Sequence, residues 1–434
     1  MRISPNWHCE ELQTRFTQFS QHSLPQGRFC FLSMKQSYSL LFLILFLSHW
    51  VAGQTKEEEE LETSLEWELN GQYRYFYDTP QFENQLYDYP SIGIQPTYSF
   101  IWDNGYQNFI ASAYFNLDRD ENRSYWDLRE FYYQKAKNNW ELSVGFKKVF
   151  WGVTEASHLV DIINQADVLK SFDAEEKLGQ PMVQFSWFSS NWGSLDLFYL
   201  PYHRKRGFAG EKGRFRFSTV LKADTIGYES KKEEWHPDFA ARWKYYIGVL
   251  DIGLSYFTGN GREPFFEFDT QGNINAFYPL IDQFGLDLQI TSGALLLKFE
   301  SILRQAEQQE FFVMDAGFEF TFSNVDNNGL DIGVLGEYLY DERGDWSLTG
   351  FQNDIFYGSR VAFNDTQDTS ILGGGIYDLD THSHLFTLEA TSRIANGLVC
   401  SIEARIFSGV SEEELFLLFF KQDSYLSITL SRFF

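Results

Sequence analysis

From about residue 64 to the carboxyl terminus the chain alternates apolar and polar residues with period 2, the repeat of an extended strand and not the 3.6-residue repeat of a helix. Over 398–406, Leu398, Cys400, Ile402, Ala404 and Ile406 share one face and Ser401, Glu403 and Arg405 the other. Residues 315–322 set Ala316, Phe318, Phe320 and Phe322 against Asp315, Gly317, Glu319 and Thr321. The pattern recurs over 251–256 and 285–291. A chain written this way forms sheets with one apolar and one polar face.

A soluble sandwich and a membrane barrel share that alternation, and the connections separate them. Short turns at 103–105, 137–139, 189–191, 292–293 and 395–397 alternate with long connections at 79–90, 151–180, 201–236, 259–280 and 341–353. Tight turns at one end and extended loops at the other are the layout of a transmembrane antiparallel β-barrel. Counting segments gives 16–18 strands, with 18 preferred, a size that leaves room inside for water. The expected class is therefore all-β, with one helical inward-folded loop.

The chain begins with features of export. After Met34, Lys35 precedes an apolar run from Leu40 to Leu47 and the small residues Val51 and Gly53, so 34–53 reads as a signal peptide within a leader spanning 1–53. Residues 54–63, QTKEEEELET, form an acidic periplasmic lead-in, and 64–434 the barrel. Cys9 and Cys30 fall in the leader, so Cys400 has no internal disulfide partner. Sixty acidic against 35 basic residues argue against nucleic acid as a partner.

If the apolar faces meet lipid, the opposite faces line a lumen. Its candidate residues are Glu141, Lys147, Asp287, Lys298, Glu300, Arg304, Glu319, Glu337, Glu403 and Arg405. Twelve acids against six bases on inward strand faces give an expected cation preference, because a low-dielectric wall focuses the field of its charges; cross-strand pairing is the alternative use of such residues. The one basic stretch, PYHRKRGFAGEKGRFR at 201–216, supplies Arg204, Arg206, Arg214 and Arg216 as outer-loop groups for lipopolysaccharide or an anionic solute. NLDRDENRS at 116–124 has oxygen ligands but not calcium-loop spacing, and His382-Ser383-His384 lacks a third ligand, so neither is assigned a metal. No G-x-S-x-G or H-E-x-x-H motif is present, and no enzyme or cofactor is expected.

VFWGVTEASHLVDIINQADV at 149–168 breaks the alternation. Ala156, Leu159, Val160 and Ile163 fall at helical spacing, which predicts an amphipathic helix over 153–170, folded inward from a long connection. Asp161, Asn164 and Asp167 then become constriction candidates, with the rim-capping helix as the competing placement.

The segment GFKKVFWGVTEASHLVDIINQAD, with LGQPMV, LPYHRKRGFAGEKGRFRF, GREP and VAFNDTQDTSILGGGIYDLD, resembles a family of porin-like outer-membrane barrels of unassigned substrate from Gram-negative bacteria. The ending SYLSITLSRFF resembles the closing strand by which such barrels engage their assembly machinery, here through Phe434. The resemblance implies an outer-membrane channel passing small hydrophilic solutes by passive diffusion, bounded by lipid and lipopolysaccharide. Two other readings fit the same residues: a surface adhesin or structural barrel with a closed lumen, and a transporter of hydrophobic compounds.

Overall fold

The computed structural model describes residues 61–222, 226–268, 274–307, 309–344, 347, 350–414 and 416–434. The leader and most of the acidic lead-in lie outside them. Eighteen strands pair, each antiparallel to its neighbours, in one closed sheet. In chain order they are Glu62–Phe76 (β1), Asp88–Trp102 (β2), Gln107–Leu117 (β3), Trp126–Lys137 (β4), Trp140–Lys147 (β5), Gln180–Ser189 (β6), Gly193–Leu200 (β7), Asp238–Ile247 (β8) and Leu250–Asn260 (β9). Then follow Leu280–Ser292 (β10), Leu295–Ala306 (β11), Gln309–Val325 (β12), Leu330–Asp341 (β13), Asn353–Ala362 (β14), Ser370–Asp378 (β15), His384–Ala395 (β16), Leu398–Ser408 (β17) and Tyr425–Phe433 (β18). The barrel begins two residues ahead of the expected boundary, and the preferred strand count holds.

Closure joins β1 to β18, from Phe76 opposite Tyr425 to Glu68 opposite Phe433. Phe434 extends the seam: its N–H donates to the Trp67 carbonyl at 3.0 Å, and the Trp67 N–H donates back at 3.3 Å. A closed sheet leaves no edge of unpaired backbone, which is the condition for a sheet to sit in hydrocarbon. The turns at one end are tight. Asp103, Asn104 and Gly105 hold φ of 57°, 53° and 83°, the left-handed region that Asn, Asp and Gly enter at least cost.

The alternation sorts side chains as the sequence dictates. Along β18, Leu426, Ile428 and Leu430 point outward at 42–45% exposure, while Tyr425 and Ser427 are buried within. Along β1, Leu65, Trp67, Leu69, Tyr73 and Tyr75 face out, and Asn70, Arg74 and Phe76 face in. Close to the tight turns, aromatic pairs ring the outside: Trp102 with Tyr133, Trp140 with Phe185, Trp187 with Trp192, Trp243 with Tyr245 and Phe320 with Phe322. Transmembrane barrels carry girdles of this kind, where an aromatic ring meets lipid on one side and water on the other.

The core lies inside the barrel. Val160, Ile162 and Ile163 of the 148–179 segment pack against Met182, Phe198, Leu200, Ala240, Phe257 and Ile302 on the inner wall. The inward fold expected of this segment is present, but the helix is not: residues 148–179 contain no helical stretch, only turns and an isolated bridge from Ala166 to Lys177. Two causes act together. Val160, Ile162 and Ile163 are β-branched, and Thr154, Asp161 and Asn164 compete for backbone groups through their side chains. The backbone donors also find better acceptors on the wall than a helix would offer. A second infolded group, around Phe217, Leu221, Ile274, Phe407, Leu417 and Phe420, fills another part of the interior.

Candidate functional site: the infolded lumen

Two wall carboxylates hold the 148–179 segment by its main chain. Glu300 on β11, fully buried, accepts from the N–H of Val153 at 2.5 Å, Thr154 at 3.0 Å and Val160 at 3.2 Å, and from the Thr154 hydroxyl at 2.8 Å. Glu337 on β13 accepts from the N–H of Glu155 at 2.8 Å and Ala156 at 2.7 Å. Amides that a helix would have left as orphan N-terminal donors are thus bound by carboxyl oxygens of the wall. Between these strands Asp315 on β12 lies opposite Glu300. It is buried, with neither carboxylate oxygen hydrogen-bonded among the described residues.

The three constriction candidates are buried and fix the segment's shape. Asn164 is a three-way brace: its amide nitrogen donates to the carbonyls of Lys147 at 2.9 Å and Leu178 at 2.8 Å, and its oxygen accepts from Val149 N–H at 2.9 Å. Asp161 accepts from Trp151 N–H at 3.3 Å and pairs with Lys177 at 3.0 Å. Burial raises its pKa, against the opposing pull of Lys177. Asp167 takes Arg129 at 2.6 Å and the Tyr125 hydroxyl at 2.7 Å. His158 meets Glu175 at 3.2 Å; burial lowers its pKa, but the bond to Glu175 and nearby carboxylates outweigh that and raise it above the usual imidazole value.

Most of the other lumen candidates face inward and are paired. Glu141 and Lys147 sit 3.6 Å apart. Asp287 reaches Arg242 at 2.5 Å from two strands away, across Gly253, where a Cβ would sit 1.9 Å from the carboxylate. Lys298 and Arg360 together hold Glu155 of the infolded segment and Glu319 of the wall, at 2.7–3.8 Å. Arg405 binds Asp173 at 2.7 Å and Glu389 at 2.6 Å, with Glu403 at 3.6 Å; Glu403 also receives the Tyr425 hydroxyl.

The basic stretch is not the outward-facing patch expected of it. Residues 201–217 turn into the barrel, and their guanidinium groups are largely taken up there. Arg214 and Asp423 form a fully buried pair at 2.6 Å. Arg216 donates to the carbonyls of Phe217 at 3.0 Å and Glu83 at 2.9 Å, and Arg204 pairs with Asp127 and donates to Gly179 at 2.8 Å. Arg206 bonds Gln165 Oε1 and the Arg262 carbonyl, both at 3.2 Å, and has no carboxylate partner among the described residues. The reason is local: Phe208, Phe215 and Phe217 alternate with these arginines, and burying the rings in the aromatic cluster draws the charges inside with them. Asp120 in the acidic turn accepts from Gly210 N–H at 3.1 Å and Asn122 N–H at 3.1 Å, so its oxygens serve main-chain donors. His382 Nδ1 meets the Tyr377 hydroxyl at 2.8 Å, and His384 stacks on Phe386.

The infolded segments leave a cavity of about 510 Å³. Its lining includes Arg206, Arg262, Glu263, Arg304 and Arg343, and the rings of Phe172, Phe208, Phe215, Phe266 and Phe420. Burial alone would raise the Glu263 pKa, but Arg304, bonded to it at 2.9 Å, with Arg343 and Arg206, holds it down at about 2. A second, more polar cavity of about 230 Å³ is lined by Gln72, Arg74, Asn116, Ser401 and Thr429, and both cavities are lined by Arg123. Of the group from Arg206 to Arg343 only Arg206 and Arg304 were sequence candidates. Arg262 and Glu263 lie in the GREP stretch, where alternation ceases and strand logic assigns no face.

No family model matches the chain, and neither does any curated protein. Solved structures similar to it include a triple mutant of the Rhodopseudomonas blastica porin, at 12% identity over 86% of this chain and 100% of that chain with a TM-score of 0.41. Another is Pseudomonas aeruginosa OccK11 (OpdR), at 12% identity over 86% of this chain and 95% of that chain with a TM-score of 0.49.

Proposed function

We infer that the chain is a porin-like channel of a Gram-negative outer membrane, exported through its 34–53 signal and passing small solutes by passive diffusion. The observation that carries this reading is the closed 18-strand wall, apolar and aromatic outside and charged inside, enclosing connected groups of polar residues. Lipid and lipopolysaccharide bound its outer face, and β18 with the following Phe434 engages the assembly machinery. Its role is permeation and not catalysis. A net cation preference, expected from the wall's acid surplus, is weakened by pairing: Glu300 and Glu337 bind main-chain amides, and Asp287, Glu319 and Glu403 face arginine or lysine.

The filled interior favours a second reading, a structural barrel with a closed lumen. Swelling of liposomes loaded with the full-length protein separates the two. Influx of small sugars or ions at rates above empty liposomes supports the channel; an intact barrel without influx overturns it.

A further inference from the structure

We propose that the 510 Å³ cavity is a binding site for a small organic anion with an apolar or aromatic body, its anionic head held by Arg206 and Arg304 and its body by Phe208 and Phe266. The proposal rests on the channel reading and names the solute class of that channel. Arg206 commits Nε to Gln165 and Nη2 to the Arg262 carbonyl, which leaves Nη1 with no acceptor among the described residues. Arg304 commits Nε to Gln283 and Nη1 to Glu263, which leaves Nη2 in the same position. Neither free nitrogen is among the atoms shut off from solvent, and both residues line the cavity. Arg262 also lines the cavity, paired with Asp238 at 2.9 Å; its unpartnered Nη2 is shut off from solvent, so it adds charge and not a donor. Arg343, paired with Asp341 at 2.6 Å, lines the cavity in the same way, with its Nη1 shut off from solvent.

The charges point the same way. Eight arginine and lysine side chains and seven carboxylates line the cavity, and of those eight only Arg206 has no carboxylate partner among the described residues. Glu263 marks what the site accepts: a carboxylate among arginines, stabilised as the anion. The aromatic rings adjoin these arginines in the chain. Phe208 follows Arg206 by two residues, Phe266 follows Arg262 by four, and the two rings meet edge to face at 6.2 Å. The volume falls in the range of small-molecule sites, ~300–1,000 Å³. A purely inorganic anion would leave those rings unused.

The test uses the full-length protein in detergent micelles and planar bilayers, with benzoate as probe, acetate as the head alone and benzamide as the neutral body. Equilibrium dialysis is expected to show benzoate binding at least about tenfold tighter than either control. Arg206→Gln and Arg304→Gln are each expected to weaken benzoate by about tenfold or more, and Arg206→Lys by less. Arg119→Gln, in an exposed pair with Asp88, leaves the affinity unchanged. Equal affinities for benzoate and acetate, or for benzoate and benzamide, overturn the proposal, as does binding indifferent to both substitutions in a barrel that keeps its heat-modifiable mobility. Absence of conductance in bilayers overturns the channel reading alone, because dialysis measures the site without transport.

Discussion

The grip of Glu300 on the infolded segment gives the sharpest expectation. Glu300→Gln keeps one oxygen for the Val153 and Thr154 donors but turns an amino group toward the Val160 N–H, so a donor faces a donor. Hydrogen bonds to a charged acceptor contribute about 1.5–3 kcal/mol each, and the combined loss of charge and of one acceptor costs about 4 kcal/mol. Part of this is offset. The neutral amide is cheaper to bury than a carboxylate, which relieves about 1–2 kcal/mol. The net of about 2–3 kcal/mol raises the open population of the segment by about 30- to 150-fold. Hydrogen exchange of the 153–160 amides in micelles reads this directly, with the barrel strands as internal reference. Exchange within about threefold of the parent protein would refute the claim that Glu300, and not the apolar contacts of Val160 and Ile163, sets the segment's position.

Other expectations follow from the same contacts. Asp423→Ala strands the buried Arg214 charge and is expected to lower stability by about 3–5 kcal/mol, seen as loss of the heat-modifiable band at a lower temperature, whereas Arg119→Gln changes it little. The raised pKa of His158 makes its contribution fully present below about pH 6.5 and lost as pH rises through the folded value. Exchange of neighbouring amides therefore accelerates on that rise, and His158→Gln abolishes the dependence; an unchanged pH profile in the variant removes His158 as the cause. Cys400, on the outward face of β17 with Leu398 and Ile402, is expected to resist a charged maleimide in liposomes yet react with a membrane-permeant one, while a Ser401→Cys, Cys400→Ser variant reacts with both. Equal labelling of the two positions would mean the assigned faces are reversed.

The wall was legible in the sequence because each strand's face is decided locally, by the residues two positions away. Leu426, Ile428 and Leu430 need no distant partner to declare themselves outward, and the turn at 103–105 announces its own left-handed backbone. The interior was not legible in this way. Ala156, Leu159, Val160 and Ile163 do have helical spacing, yet their segment is shaped by Glu300 and Glu337, acceptors some 140–180 residues away in the chain. Arg214 likewise reads as a solvated loop charge until Asp423, 209 positions on, is placed beside it. Periodicity reports which face a residue takes and is silent about which remote carboxylate will meet an inward loop.

The Arg214 and Asp423 pair also has a kinetic consequence. Asp423 lies just before the last strand, so this tie cannot form until residues near the end of the chain have been delivered to the middle segment that carries Arg214. Where the ring closes ahead of it, assembly passes through a closed barrel whose inner segments are not yet fastened, leakier than the finished molecule. A pulse of conductance that decays as the interior locks would be the trace of that order of events, and slowing the final step by Asp423→Asn would lengthen it.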